Sequence, residues 1–308
     1  MAHCLSLLMR PVAALLFLAV LSPLSWAGDD DVVFLGAVED VPGVYAGEGH
    51  STKVRVLFSH RGNHWQAFRS ECDSPICLAD VASSFPKEIK WNIGLDGHQV
   101  GTVTARTPDQ FHFYAHVGLQ DIIAGKAPVV GKASEEFSGF GGEPVHRPLV
   151  AESKPNFRDP EGWKRAKITP KIVSKALNVM RLKAPGVCKE GKSETQPLIP
   201  FHYDKNDLEI RAHKSANGRL LVTVSVKNAY YCEYDGAGDG AYDSQMFVIN
   251  PDGTSRHLGP GLILVDAGDY DNNGDSELLM SLSLYNRGGY VLFSDAFVEE
   301  ARFEFGYH

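Results

Sequence analysis

The sequence is poor in cysteine and in long apolar segments. Only five of its 308 residues are cysteine. No two of them have the C-x-x-C spacing of a zinc ribbon or a thioredoxin-like redox pair. The apolar run at residues 12–21 is shorter than the roughly 20 residues that a membrane span requires, and no later run is long enough. The sequence therefore predicts a protein that does not span a membrane.

The same apolar run has the features of a secretory signal peptide. Arg10 precedes it, and the small residues Ser25 and Ala27 stand at positions −3 and −1 of a cleavage site. We therefore predict a signal peptide over residues 1–27, a mature chain that begins near Gly28, and a secreted or periplasmic location. Cys4 would leave with the leader.

Four cysteines remain in the mature chain: Cys72, Cys77, Cys188 and Cys232. An even number in an oxidising compartment favours two disulfides, for which three connectivities exist. We predict that Cys72 pairs with Cys77, closing the CDSPIC loop, and that Cys188 pairs with Cys232. Four buried free thiols are the alternative.

Basic residues and catalytic motifs are also scarce. Lys and Arg number 30 against 38 Asp and Glu; loss of the leader removes only Arg10, which leaves 29 against 38 and a net charge of −9. This balance argues against nucleic acid or an anionic membrane as a partner. The chain has no G-x-S-x-G, H-E-x-x-H or G-x-G-x-x-G motif. Their absence favours a non-enzymatic protein.

Alternating apolar and polar residues recur along most of the mature chain, which is the pattern of β-strands. Turn residues at Gly62, at Asp96-Gly97, and at residues 250–253 and 286–289 separate these runs. The pattern predicts an all-β, mainly β fold, a propeller-like stack of antiparallel hairpins. Two β-sandwich-like domains are the alternative.

One segment has helical periodicity instead. Thr169 can cap a helix, Pro170 suits its first position, and five apolar residues then form one stripe: Ile172, Val173, Ala176, Leu177 and Met180. We predict one short helix at about residues 169–183. The chain then divides into an N-terminal β region (28–160), a linker with the helix (161–187) and a C-terminal β region (188–308). The residues 139–162, rich in Gly and Pro, fit either an interdomain link or a long loop.

The stretch GDYDNNGDSELL, residues 268–279, crowds acidic and amide side chains around Gly274. With Asp269 as position one, oxygen-bearing residues recur at every second position, and the glycine at six permits a sharp bend. Calcium prefers such oxygen donors, and the loop holds no His or Cys that would favour zinc. The sequence predicts a calcium-binding loop, with a solvated acidic turn as the alternative.

This loop differs from an EF-hand, because position twelve is Met280 and the flanking segments have the pattern of strands. DYDNNGDSE resembles the D-x-D/N-x-D/N-G-x-x-D/E loop of FG-GAP repeats, the calcium-binding blades of integrin α-subunit β-propellers and related exported bacterial proteins. The resemblance implies a set of calcium ligands: the side chains of Asp269, Asp271, Asn273 and Glu277, and the backbone carbonyl of Asp275.

Two weaker patterns could also bind metal. FG-GAP repeats occur in series, and DGAGDGAYD places Asp235, Asp239 and Asp243 at positions one, five and nine of a second loop, which is a degenerate copy or an acidic turn. In FHFYAHV, three side chains would share a strand face that binds a transition metal or is simply polar: His112, Tyr114 and His116. His60 and His64 flank the turn at Gly62, and we expect both to be solvent-exposed.

These features predict an exported, non-enzymatic calcium-binding β-rich protein that binds a protein, glycan or envelope component. The alternative is a periplasmic hydrolase with a structural calcium site. That alternative requires a deep pocket in which His and carboxylate side chains converge away from Asp269.

Overall fold

Antiparallel strands make up most of the fold in the computed structural model. The structure describes residues 32–42, 49–70, 75–108, 116–137, 144–184, 187–189, 202–227, 229–231, 244–284 and 286–306. The strands are β1 Val33–Pro42, β2 His50–Arg61, β3 His64–Ala67, β4 Glu88–Leu95, β5 His98–Arg106, β6 Leu119–Gly125, β7 Leu149–Glu152, β8 Lys164–Arg165, β9 Val187–Lys189, β10 Leu208–Lys214, β11 Leu220–Val226, β12 Ala229–Tyr231, β13 Ser244–Ile249, β14 Ser255–Pro260, β15 Leu262–Gly268, β16 Glu277–Leu284, β17 Arg287–Phe293 and β18 Glu299–Gly306. The helices are α1 Pro75–Ser84 and α2 Pro170–Lys183. The all-β class is therefore confirmed.

Six strands of the first half close into a barrel. Their order is β1-β7-β4-β5-β6-β2, and pairing between β1 and β2 completes the ring. The turn between β4 and β5 is formed by Asp96 and Gly97, whose φ angles of 48° and 81° are those of the tight hairpin turn that the sequence predicts. The predicted hairpins of this region therefore belong to a closed barrel. Closure depends on a pair of strands that are far apart in the sequence, β1 and β7.

Apart from the two-stranded pair of β9 and β12, the strands of the second half form two packed sheets. Strands β15-β16-β17-β18 form one, and β14-β13-β11-β10-β8 form the other. One face of the four-stranded sheet packs on the barrel core through residues such as Val265 and Leu279, and the opposite face, with Leu264 and Met280, packs against the five-stranded sheet. Burial on both faces explains the unbroken apolar run at the start of β16.

Helix α2 covers the outer face of the five-stranded sheet. The Thr169 side chain accepts a hydrogen bond from the backbone N–H of Ile172, and Pro170 is the first helical residue. Ile172, Ala176 and Met180 are buried against the sheet. The prediction of a helix at residues 169–183 is confirmed, and α1 is a second helix that the periodicity did not reveal.

Residues Val32–His308 form one compact unit. The predicted signal peptide lies outside the described residues. In the part of the chain that the structure describes, no helix is long and apolar enough to cross a membrane. Cys77 is disulfide-bonded, and its predicted partner Cys72 lies outside the described residues. Cys188 lies in β9 and Cys232 outside the described residues, so both pairings stay predictions.

Candidate functional site

The predicted calcium loop connects β15 to β16. The last residue pair of this hairpin joins Gly268 and Glu277, so the strands place the first and last acidic residues of the loop at neighbouring positions. Gly274 has a φ of 97° and Asn272 a φ of 62°. Both values lie in the left-handed region, and Gly274 provides the bend at the position that the motif assigns to glycine.

Three of the predicted ligand residues come together at this hairpin tip. One carboxylate oxygen each from Asp269, Asp271 and Glu277 lies within 4.8 Å of the others. Asp269 and Glu277 are only 5% and 3% exposed. Asn273 and Asp275 are exposed, and this cluster does not include the side chain of Asp275, whose predicted ligand atom is its carbonyl oxygen.

Backbone amides of the loop orient the three carboxylates. Gly274 N donates to Asp269 Oδ1 at 3.1 Å, and Tyr270 N donates to Glu277 Oε2 at 2.7 Å. The Asn273 amide group donates to Asp271 Oδ2 at 3.1 Å. The Asn273 side chain therefore also positions a carboxylate, and its Oδ1, the ligand atom that the resemblance implies, accepts a hydrogen bond from Asp275 N at 2.7 Å.

Burial and mutual repulsion make this carboxylate cluster unfavourable as three anions. Burial, followed by the negative charge of Asp271, raises the pKa of Glu277 to about 8. A divalent cation among these oxygens would offset both effects, because its charge is larger than any other in the site.

The sequence analysis missed Glu152, a buried carboxylate on β7 of the barrel. It is 0% exposed, and burial, with a further contribution from Asp269, raises its pKa to about 8. Its Oε2 accepts a hydrogen bond from Asn156 N at 2.8 Å, while Oε1 has no hydrogen-bond partner among the described residues. A glutamate that ends the apolar run LVAE is the only sequence signal, and nothing in that run relates it to a loop far later in the chain.

The prediction that His60 is solvent-exposed is wrong, whereas His64 is exposed as expected. His60 is 8% exposed, because it packs on Trp65 with ring centroids 4.8 Å apart. Its Nε2 lies 3.7 Å from Asp271 Oδ2 and has no hydrogen-bond partner within the described ranges. A nitrogen atom therefore adjoins the oxygen cluster.

The segment between β7 and β8 holds the loop from one side. Four hydrogen bonds connect them: Asp269 N to Arg158 O at 2.8 Å, Asn156 Nδ2 to Asn272 Oδ1 at 3.1 Å, Ser276 Oγ to Asp159 Oδ1 at 2.7 Å, and Glu161 N to Ser276 Oγ at 3.2 Å. These bonds tie the loop directly to this segment.

The same segment lines a cleft of about 630 Å³. The turn between β4 and β5, Arg147, His213 on β10 and Asp266 on β15 complete its walls. Burial raises the pKa of Asp266 to about 7 although Arg147 opposes this shift. Burial, then the charges of Arg165 and Arg147, lower the pKa of His213 to about 4. The imidazole is therefore neutral at neutral pH.

The other predicted metal residues stay largely untested. His112 and Tyr114 lie outside the described residues, as do Asp235, Asp239 and Asp243. His116 is half-buried, and burial, followed by the charge of Arg55, lowers its pKa. The second loop and the histidine strand thus remain predictions.

Comparison with known proteins finds no matching family model, no similar curated protein and no similar solved structure. Inferences about function therefore rest on the geometry of the loop and of the cleft.

Proposed function

We propose that this is an exported, non-enzymatic protein that binds calcium in the β15–β16 loop and binds a protein, glycan or envelope component. The observation that carries the proposal is the carboxylate cluster of Asp269, Asp271 and Glu277 at a largely buried hairpin tip. Buried carboxylates are costly unless a counter-charge accompanies them. A bound cation provides that counter-charge.

The donor chemistry supports calcium among the divalent cations. Calcium takes six to eight oxygen ligands in a flexible arrangement, and a loop with three clustered carboxylates and two further oxygen-bearing residues, Asn273 and Asp275, suits it. Magnesium needs stricter octahedral geometry. The nearby Nε2 of His60 is a donor that transition metals prefer, so manganese and zinc are the competitors to test.

The ion would stabilise the loop and the segment that holds it. Without a cation, like charges stand close together in the folded state, so calcium binding favours folding by mass action. The affinity should be weak, with a Kd on the order of 0.1 to 1 mM, as in other extracellular calcium modules. Hydrogen bonds that Asp269 N and Ser276 Oγ of the loop donate to Arg158 O and Asp159 Oδ1 would pass this stabilisation to one wall of the cleft.

The test is thermal unfolding of the mature chain during a calcium titration that starts from excess chelator. Magnesium, manganese and zinc serve as separate titrations, each with the wild type and with His60→Gln. The proposal expects calcium to raise the melting temperature equally in both proteins. A melting temperature that stays constant up to several millimolar calcium would reject it, and a shift produced by manganese or zinc alone and lost in His60→Gln would assign a transition metal instead.

A periplasmic hydrolase with a structural calcium site is the second candidate. The observation in its favour is the cleft, where neutral His213 and the carboxyl of Asp266 both line one cavity. Groups with shifted pKa values in a cleft are candidates for acid–base catalysis. Screening against generic esterase, phosphatase, glycosidase and peptidase substrates, with His213→Gln as the inactive control, would support this candidate or remove it.

A further inference from the structure

The cleft has the size of a site for a small molecule. Its volume of about 630 Å³ lies within the 300 to 1,000 Å³ range, roughly, of ligand pockets in proteins. Its walls come from the barrel, from β8 and β10 of the five-stranded sheet, and from β15. Strands therefore frame part of the cavity, and turns and the segment between β7 and β8 frame the rest.

The acidic side chains of the cleft are already engaged by other groups of the protein. Two of them form ion pairs: Asp96 with Arg147 at 3.0 Å, and Glu136 with Arg211 at 2.9 Å. Asp159 accepts hydrogen bonds from the backbone N–H groups of Glu161, Gly162 and Trp163. Asp266 accepts hydrogen bonds from the backbone N–H groups of Asp96 and Ala267. These carboxylates are therefore poorly placed to attract a cationic ligand.

Three basic side chains of the same cleft are in the opposite situation. Arg158, Lys164 and Arg165 line the cavity and are exposed, and within the described part of the chain none of them has an ion-pair partner. Arg165 lies opposite His213 in the β8–β10 pair, so a neutral hydrogen-bonding group adjoins the guanidinium. Three unpaired cations gather in one cleft although the whole chain carries a net charge of −8.

We infer that this cleft binds a small organic anion whose carboxylate or phosphate group is held by Arg158 and Arg165, while Lys164 adds to the positive charge around the cleft. Guanidinium groups bind both kinds of group through paired, charge-assisted hydrogen bonds. A bound anion would also balance the positive charge of these three side chains. The inference concerns a second site and does not depend on the calcium loop.

Calorimetric titration of the mature chain with three hexose derivatives tests the inference. The probes are glucuronate, glucose 6-phosphate and glucose, which share a ring and differ in the charged group. Each is titrated to about 10 mM at low salt, since weak electrostatic binding falls as salt rises. Each titration is done once with chelator and once with calcium. Anion binding that is the same in both would show that this site works without the ion site, so failure of one proposal can be told from failure of the other.

We expect at least one of the two anions to bind and glucose not to bind. Preference for glucuronate would identify a carboxylate ligand, and preference for glucose 6-phosphate a phosphate ligand. Binding of glucose as tight as that of the anions, or no binding by any probe, would overturn the inference.

Matched variants locate the site. Arg165→Gln and Arg158→Gln should each weaken anion binding about tenfold, because each removes a charge-assisted contact. Arg69→Gln removes the same charge from an exposed arginine outside the cleft and should leave binding unchanged. Equal weakening in all three variants would indicate a non-specific charge effect and would contradict the assignment. Trp163 also lines the cleft, so its fluorescence should change on binding and the change should be lost in Trp163→Phe.

Discussion

The β13–β14 turn and the β15–β16 loop share turn residues, but the pKa values of their acidic side chains shift in opposite directions. Each joins antiparallel strands and contains aspartate and a glycine with positive φ, 87° at Gly253 and 97° at Gly274. In the first turn, hydrogen bonds from Thr254 lower the pKa of the exposed Asp252. In the second, burial raises the pKa of Glu277 to about 8.

The difference shows that acidic composition does not by itself make an ion site. The chain around Asp252 satisfies its carboxylate locally, with bonds to a residue two positions later. The carboxylates at Asp269 and Glu277 are instead packed against the barrel and against the segment that follows β7. Only in the second arrangement would a cation offset the burial and the mutual repulsion of the carboxylates.

The largest expected effect concerns Asp266, a buried acid on β15, compared with Asp252. The pKa of Asp266 is about 7 in the folded protein and 3.8 ordinarily. Between these two pH values the folded state therefore binds more protons than the unfolded state, and the free energy of unfolding falls as pH rises. Asp266→Asn should abolish this decrease in the free energy of unfolding, which amounts to about 4 kcal/mol in the wild type. Denaturant unfolding from pH 4 to 8 measures it.

Asp252→Asn is the control for this experiment. The lowered pKa of Asp252 means that its contribution is present above the ordinary pKa and is lost as pH falls below it. Its variant should therefore follow the wild type between pH 4 and 8. Equal pH profiles for Asp266→Asn and the wild type would show that burial of Asp266 does not govern its ionisation.

The second prediction extends the comparison from acids to a buried base, His213. Its pKa is about 4 when folded and 6.5 ordinarily, so the unfolded state binds more protons in this window and stability falls as pH falls from 6.5 to 4. Between pH 6.5 and pH 4, the free energy of unfolding of His213→Gln should rise by about 3 kcal/mol relative to that of the wild type. A constant difference between the two proteins from pH 4 to 8 would contradict the shift.

The third prediction separates the two acidic connections by their response to calcium. At about 10 to 100 times Kd, calcium should stabilise the wild type by about 1.4 to 2.7 kcal/mol, which corresponds to several degrees in melting temperature. Glu277→Gln should lose most of this gain, because it removes an anionic oxygen donor, and Asp252→Asn should keep it. Thermal melts with and without chelator measure the shifts.

The smallest expected effect concerns the two glycines with positive φ. Gly274→Ala and Gly253→Ala should each cost about 1 kcal/mol, because alanine is strained in the left-handed region. Around Gly274 an added Cβ would meet nothing within 4 Å, so backbone strain alone is tested there. Only Gly274→Ala should also raise the calcium concentration at half-saturation, and an equal change in both variants would argue against the loop as the ion site.

Local patterns of the sequence determined much of the framework. Alternating apolar and polar residues indicated the strands. The Asp96-Gly97 pair indicated the tight turn between β4 and β5, and Thr169 with Pro170 indicated the start of α2. Each of these features depends on contacts within a few residues, so a short window of sequence contains the necessary information. The spacing of Asp269, Asp271 and Glu277 was of the same kind, since a hairpin loop brings alternate residues together.

Only the tertiary structure decided which of those local features share an environment. Closure of the barrel, burial of both faces of the four-stranded sheet, and the approach of Glu152 and His60 to the acidic loop all join residues distant in sequence. The cleft likewise draws Arg158, Arg165 and His213 from separate strands and loops. Burial and charge depend on every neighbour in space, and no periodicity in the chain encodes which neighbours those are.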